Sequence, residues 1–405
     1  MISTSLESIC KRISSGGTPS RKNAEYFTNT SAGHLWVKSK ELNDCAIEDT
    51  EERISDEGLR NSSAKYYPAG SVLVAMYGAN VGQLGWLRKP ATVNQAICGL
   101  VIDEQTADWR FVFYALLLNR GDLTIQAQGA AQQNLNQDLI RQFCIDLPPL
   151  PIQRHIADIL SAYDELIENS QRQIKILEAI GRGLYREWFV QFRFPGHESV
   201  PRVPSLLGEI PERWEVKKLK EIAAVNRAQI NARSAPEQLY YIDISSVSPG
   251  QVDSIATYAF ADAPGRARRI IQHGDVLWSC VRPNRRSHAL MMHPEPNTIA
   301  STGFSVLTAT KVPFTFLYFA TTTDEFVAFL TNNATGSAYP AVTATTFEKA
   351  DLVIPPPPLL RKFGDLTIPI SEQIHTLQRQ IKNLRRTRDR LLPRLLSGQV
   401  NPTTN

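Results

Sequence analysis

The chain has 405 residues, of which 42% are apolar and 21% charged, and its net charge is +4. Such a composition excludes a disordered chain, a collagen-like repeat and a disulfide scaffold, and the length exceeds what one hydrophobic core fills, so two globular domains are expected. No apolar run reaches membrane-spanning length and the first residues carry no charged-then-apolar leader, which leads to the expectation of a cytoplasmic protein without membrane association. The mild positive charge permits nucleic-acid binding without requiring it.

Taken in chain order, residues 1–147 show short apolar runs between glycines, asparagines and prolines, the pattern of strands joined by turns. Near the start, Gly16-Gly17-Thr18-Pro19-Ser20-Arg21-Lys22 promises free backbone N–H groups, hydroxyls and two cations, a set suited to phosphates or base edges. Residues 72–77 (Val-Leu-Val-Ala-Met-Tyr) predict a strand, and residues 110–118 a helix. Gln128, Gln132, Gln133 and Asn134 follow as candidate base readers, because a carboxamide can bond adenine through two hydrogen bonds.

At Pro148-Pro149 the pattern changes, since proline forces an extended approach and leaves the following helix intact. Within residues 148–196 apolar residues recur with 4,3 spacing: Ile156, Leu160, Tyr163, Ile167, Ile174, Leu177, Leu184 and Trp188. That spacing marks a seam on a supercoiled helix. At about 1.5 Å per residue, residues 156–188 form a rod of roughly 48 Å.

Residues 197–354 return to the mixed pattern, with a strand predicted over 275–281 and a helix over 315–319 continuing to Leu330. Arg266, Arg268 and Arg269 precede that strand, and Arg282, Asn284, Arg285 and Arg286 follow it directly. Arginine can bond guanine bidentately, so the 282–286 loop is the clearest candidate for reading DNA. Residues 355–405 begin with four prolines and carry a second seam: Phe363, Ile370, Ile374, Leu377, Ile381, Leu384, Leu391 and Leu395. Gly398 supplies a stop for this helix.

The two halves echo one another. Gln171-Arg172-Gln173-Ile174-Lys175 recurs as Gln378-Arg379-Gln380-Ile381-Lys382, and the same displacement of 378 − 171 = 207 carries Pro148, Arg154, Asp158, Ile167, Leu177 and Leu184 onto Pro355, Arg361, Asp365, Ile374, Leu384 and Leu391. Gly129 maps onto Gly336 in that register, while Gly70-Ser71-Val72-Leu73 resembles Gly274-Asp275-Val276-Leu277 at 204. Two like-patterned helices joined through a domain are free to pair. The expected fold is therefore α+β: two mixed α/β domains separated by an antiparallel intramolecular coiled coil with approximate twofold symmetry.

Catalytic signatures are missing. There is no phosphate loop of the G-x-x-x-x-G-K-[ST] form, no [DN]-P-P-[YF] methyltransferase tetrapeptide and no dinucleotide fingerprint, so neither catalysis nor a bound cofactor is expected of this chain. The five cysteines are scattered and read as buried thiols, and His288 and His293 as packed or surface residues rather than metal ligands.

The residues leading into the helices, Ile145-Asp146-Leu147-Pro148-Pro149-Leu150-Pro151-Ile152-Gln153-Arg154 and Leu352-Val353-Ile354-Pro355-Pro356-Pro357-Pro358-Leu359, together with the closing Leu391-Leu392-Pro393-Arg394-Leu395-Leu396-Ser397-Gly398, resemble the specificity subunits of type I restriction-modification systems. Gly16-Gly17-Thr18-Pro19-Ser20, Tyr77-Gly78 with Gly82, and Ile210-Pro211-Glu212-Arg213-Trp214 with Leu219 are similar to segments of that family's target-recognition domains. The first half lacks the Trp-x-x-x-x-Leu pair that Trp214 and Leu219 provide in the second, and Leu359-Leu360-Arg361 replaces the Ile152-Gln153-Arg154 form.

The resemblance implies two target-recognition domains that each read half of a split duplex-DNA site, with the helix pair as spacer and docking rod. Two modification (methyltransferase) subunits would carry S-adenosylmethionine, and restriction or translocase subunits would use ATP. Two other readings remain open from the residues: a recognition module for a type II-like enzyme, and a coiled-coil scaffold whose globular ends bind proteins.

Overall fold

The computed structural model describes residues 2–125, 134–231 and 235–400. The architecture is α+β, in two units: the first runs through Asn169 and resumes at Gln380, and the second is Ser170–Arg379. Each long helix, Leu150–Tyr185 and Pro357–Leu396, gives one part of its length to each unit. Among the described residues no helix is long and apolar enough to cross a membrane.

In the first unit, strand Ile97–Ile102 lies between Cys10–Ser15 and Val72–Ala75, and the sheet continues through Leu84–Leu87 to Cys45–Ile47. A second five-stranded sheet has Ala91–Val93 parallel to His34–Val37. Between strands, burial of Val72, Leu73, Val74 and Ala75 on both faces explains why this strand reads as a continuous apolar run. Helix Trp109–Leu118 starts where the Asp108 carboxylate accepts the Arg110 N–H at 2.9 Å, and its Phe111, Val112 and Leu116 enter the core.

The second unit repeats this plan by itself. Strand Phe304–Ala309 lies between Ala223–Val225 and Val276–Ser279, and His288–Leu290 completes the sheet. Its partner sheet pairs Gln238–Ile242 in parallel with Thr298–Ser301. The helix expected over 315–330 is instead two, Phe314–Thr321 and Asp324–Asn332. Thr323 takes an extended backbone between them, and its hydroxyl accepts the Phe326 N–H at 3.2 Å, so a local N-cap overrides a continuous apolar pattern.

The seam is observed in each unit. In the first, Ile156 and Leu160 share one core with Leu391, Leu392, Leu395 and Leu396, so the start of one helix meets the end of the other. Tyr163 and Leu384 are half-buried, and Ile167 and Ile381 buried. In the second, the end of the first helix meets the start of the other: fully buried Phe363 has its ring centroid 4.9 Å from Phe189 and 6.1 Å from Trp188. Ile174, Leu184, Ile370 and Ile374 are half-buried there and Leu377 is buried. The pairing is antiparallel in both.

Trp188 departs from the expected α-helical stripe. The α-helix ends at Tyr185, and Arg186–Val190 form a wider π turn, which rotates Trp188 and Phe189 together into the aromatic cluster. At the other end, Gly398 takes φ 72° and donates its N–H to the Leu395 carbonyl at 3.3 Å, the left-handed stop expected of it.

Candidate nucleic-acid interface

The 282–286 loop grows from the end of strand Val276–Ser279. Pro283–Arg285 form a single tight helical turn, flanked by Arg282 at φ 51° and Arg286 at φ 56°. Left-handed backbone costs a residue with a Cβ about 1–2 kcal/mol, so two such arginines around one turn require a compensating hold. The Arg282 N–H donates to the Pro340 carbonyl at 2.7 Å, its guanidinium lies 4.7 Å from the Tyr339 ring, and the Arg286 guanidinium pairs with Asp324. Asn284 and Arg285 are exposed, and among the described residues no hydrogen bond or ion pair of either side chain is found.

The supporting segment was not foreseen. Thr335 and Ala341 pair as a small bridge, Gly336 turns the chain at φ 97°, and Tyr339 stands 69% exposed beside Arg282. Its only sequence signal was the placement of Gly336 opposite Gly129 in the repeat. An exposed aromatic ring next to a guanidinium is a surface on which a base can stack.

Arg269 lies within electrostatic reach of Cys280, two residues before Arg282. Burial pulls its guanidinium below the usual range, its Nε has no hydrogen-bond partner, and no carboxylate of the described residues lies within ion-pairing distance. A half-buried cation without a counter-charge is suited to an anion. Arg268 is less available, since it donates to the Ala267 carbonyl and lies 5.7 Å from the Phe260 ring, and Arg266 is exposed at 3.9 Å from Asp243.

The first unit's glycine loop differs from its sequence reading. The Gly16 and Gly17 N–H groups are not free: they donate to the carbonyls of Ile97 and Val93 at 3.2 and 3.0 Å. A Cβ on Gly16 would sit 1.9 Å from the Val93 carbonyl oxygen, so this glycine serves close strand approach. Thr18 is bonded to Gln95, and Arg21 is paired with Glu52 at 2.7 Å over the Phe27 ring. Ser20 and Lys22 remain exposed, Asn134 is half-buried, and Gln128, Gln132 and Gln133 lie outside the described residues.

In the hairpin that matches 282–286 at the displacement of 204, Gly78 has φ 76° and Gly82 φ 79°. These positions correspond to Arg282 and Arg286, and Asn80 to Asn284. One turn geometry thus recurs in both units, with glycine at its left-handed positions in the first and arginine in the second.

Elsewhere several titratable groups are buried. Burial pushes the thiols of Cys10 and Cys98 up to about 12, which keeps them protonated, whereas Cys45 and Cys144 are exposed against the expectation of buried thiols. His288 is 2% exposed between Trp278 and Tyr318, packed as its sequence context suggested.

Comparison with known proteins gives a consistent result. Residues 3–179 match the family described as type I restriction modification DNA specificity domain. The type I restriction enzyme MjaIX specificity subunit of Methanocaldococcus jannaschii is 25% identical over 96% of this chain and 91% of its own length. The EcoR124I/EcoR124II specificity subunit of Escherichia coli is 25% identical over 46% of each. Among solved structures, the type I restriction-modification system S subunit from M. genitalium has the same fold, with a TM-score of 0.61 at 15% identity over 97% of this chain and 95% of that one. Residues 3–179 thus match a type I restriction modification DNA specificity domain, the second unit repeats the sheet plan of the first, and the whole length is similar to the specificity subunit of a type I restriction enzyme.

Proposed function

We propose that the chain reads a bipartite duplex-DNA target, one half-site with residues 1–147 and the other with residues 197–354, while the paired helices set the spacing and dock two modification subunits. On this reading, methylation with S-adenosylmethionine and ATP-driven translocation and cleavage reside on the partner chains, and this chain supplies recognition alone.

The observation that carries the reading is the pair of strained arginines. Glycine would satisfy the same turn at no steric cost, as Gly78 and Gly82 do, so Arg282 and Arg286 stand there against a conformational penalty. With Asn284 and Arg285 at the tip and Tyr339 alongside, the loop combines a guanine reader, an adenine reader and a stacking ring.

The test is fluorescence anisotropy on the complex with its modification partner, titrating labelled target duplex at several salt concentrations. Affinity should fall steeply as salt rises. Binding that ignores salt, or equal affinity for target and unrelated duplexes, overturns the reading. Within this scheme, Arg285→Ala should relax discrimination at one half-site by about 1–3 kcal/mol. An equal loss on all sequences would reduce Arg285 to a phosphate contact.

A further inference from the structure

We infer that His273, His293 and Glu372, with His375 as a fourth donor, bind one zinc-class divalent ion on the second unit. One nitrogen of each of the first two imidazoles and one Glu372 carboxylate oxygen already lie within 4.8 Å of one another. A tetrahedral zinc site with bonds of about 2.0–2.1 Å separates its donor atoms by roughly 3.3 Å.

Three segments converge to build the cluster. The strand register pairs Val276 with Leu290, and continuing it outward sets His273 opposite His293, whose rings lie 4.3 Å apart between centroids. Gly274 holds the turn at φ 82°, and His293 takes the left-handed backbone at φ 44°. Glu372 and His375 are three residues apart on helix Pro357–Leu396, hence on one face. The His375 ring lies 5.5 Å from that of His293.

Existing bonds show which atoms are in place. His293 Nε2 lies 2.9 Å from both Glu372 carboxylate oxygens, and the backbone N–H of His293 donates to His273 Nδ1 at 3.2 Å. An ion bound by the two imidazoles and the carboxylate replaces the His293–Glu372 hydrogen bond with two coordinate bonds and adds a third from His273. Imidazole with carboxylate suits zinc and its neighbours among the transition metals, whereas magnesium and calcium take oxygen ligands. The bound ion would tether the turns at His273 and His293 to the long helix, within the second unit.

The competing account is a hydrogen-bonded His293–Glu372 pair with no ion. Calorimetric titration of the full chain with zinc distinguishes them. One equivalent should bind, with affinity lowered more than about tenfold in Glu372→Gln and abolished in a His273→Asn/His293→Asn double variant. His34→Asn, a histidine beside Asp56 in the first unit, should leave the titration unchanged. Cobalt substitution of the unaltered chain offers a readout free of any folding defect, since a four-coordinate site gives strong visible absorption. Absence of that absorption, or zinc binding indifferent to the double variant, overturns the assignment.

Discussion

Arg282 takes in the second unit the left-handed backbone that Gly78 takes in the first, at φ 51° against 76°, 204 positions later in the same turn. Arg286 stands in the same relation to Gly82. Replacing the arginines by glycine therefore separates conformational strain from recognition. Arg282→Gly and Arg286→Gly should each raise stability by about 1 kcal/mol through relief of the left-handed penalty. The lost Arg286–Asp324 pair offsets little of this, because both groups are well exposed. Target binding should weaken at least tenfold in the same proteins. Thermal melting with anisotropy measures both, and a variant that loses stability would show that the arginines are structural.

The helix seam in the first unit contains one charged position. The Arg388 guanidinium pairs with Asp164, and the Tyr114 hydroxyl donates to the same carboxylate at 2.6 Å. Burial, then the Asp164 charge, pushes the Tyr114 phenol far above its ordinary value, so it remains a donor. Arg388→Met should cost about 1–3 kcal/mol by leaving a part-buried carboxylate short of a donor. The Asp164→Asn/Arg388→Met double variant should recover part of that loss, and urea melts of the three proteins check the coupling.

His288 predicts an acid sensitivity. Burial, with Arg182 and Arg286 nearby, lowers its pKa from 6.5 to about 3, and its Nδ1 has no partner. The folded form thus holds a neutral ring while the unfolded chain protonates near 6.5. Its contribution to stability is complete above that pH and is lost as pH falls toward 3. Between pH 7 and pH 5 this one group should remove about 2 kcal/mol. In His288→Leu the urea midpoint should shift less over that interval than in the unaltered chain, and equal shifts would refute the origin.

The spacer reading predicts a length rule. Removing residues 167–173 and 374–380, equivalent heptads of the repeat, shortens each helix by about 10.5 Å. At 3.4 Å per base pair the permitted spacer should contract by about three base pairs with both half-sites unchanged. Methylation mapping reads the outcome, and altered half-site bases would exclude a ruler.

Much of the architecture was legible because it is written locally and twice. The 4,3 spacing at Ile156, Leu160, Phe363 and Leu395 reports burial along a helix, and the 207-residue repeat ties the two helices together. Proline pairs and Gly398 mark where those helices begin and stop. The break at Thr323 was not legible, since an apolar pattern runs through it and only the cap reveals it.

The amino-acid sequence alone determined the repeat, the seam and the arginine-rich loop, because periodicity and composition act between near neighbours. Tertiary structure decided which of those groups are available: Arg21 is held by Glu52, the Gly16 and Gly17 N–H groups by neighbouring strands, and the Arg285 guanidinium by no ion pair or hydrogen bond among the described residues. It also brought His273, His293 and Glu372 together from distant positions. Such convergence depends on strand register and helix packing across long loops, and no local spacing encodes it.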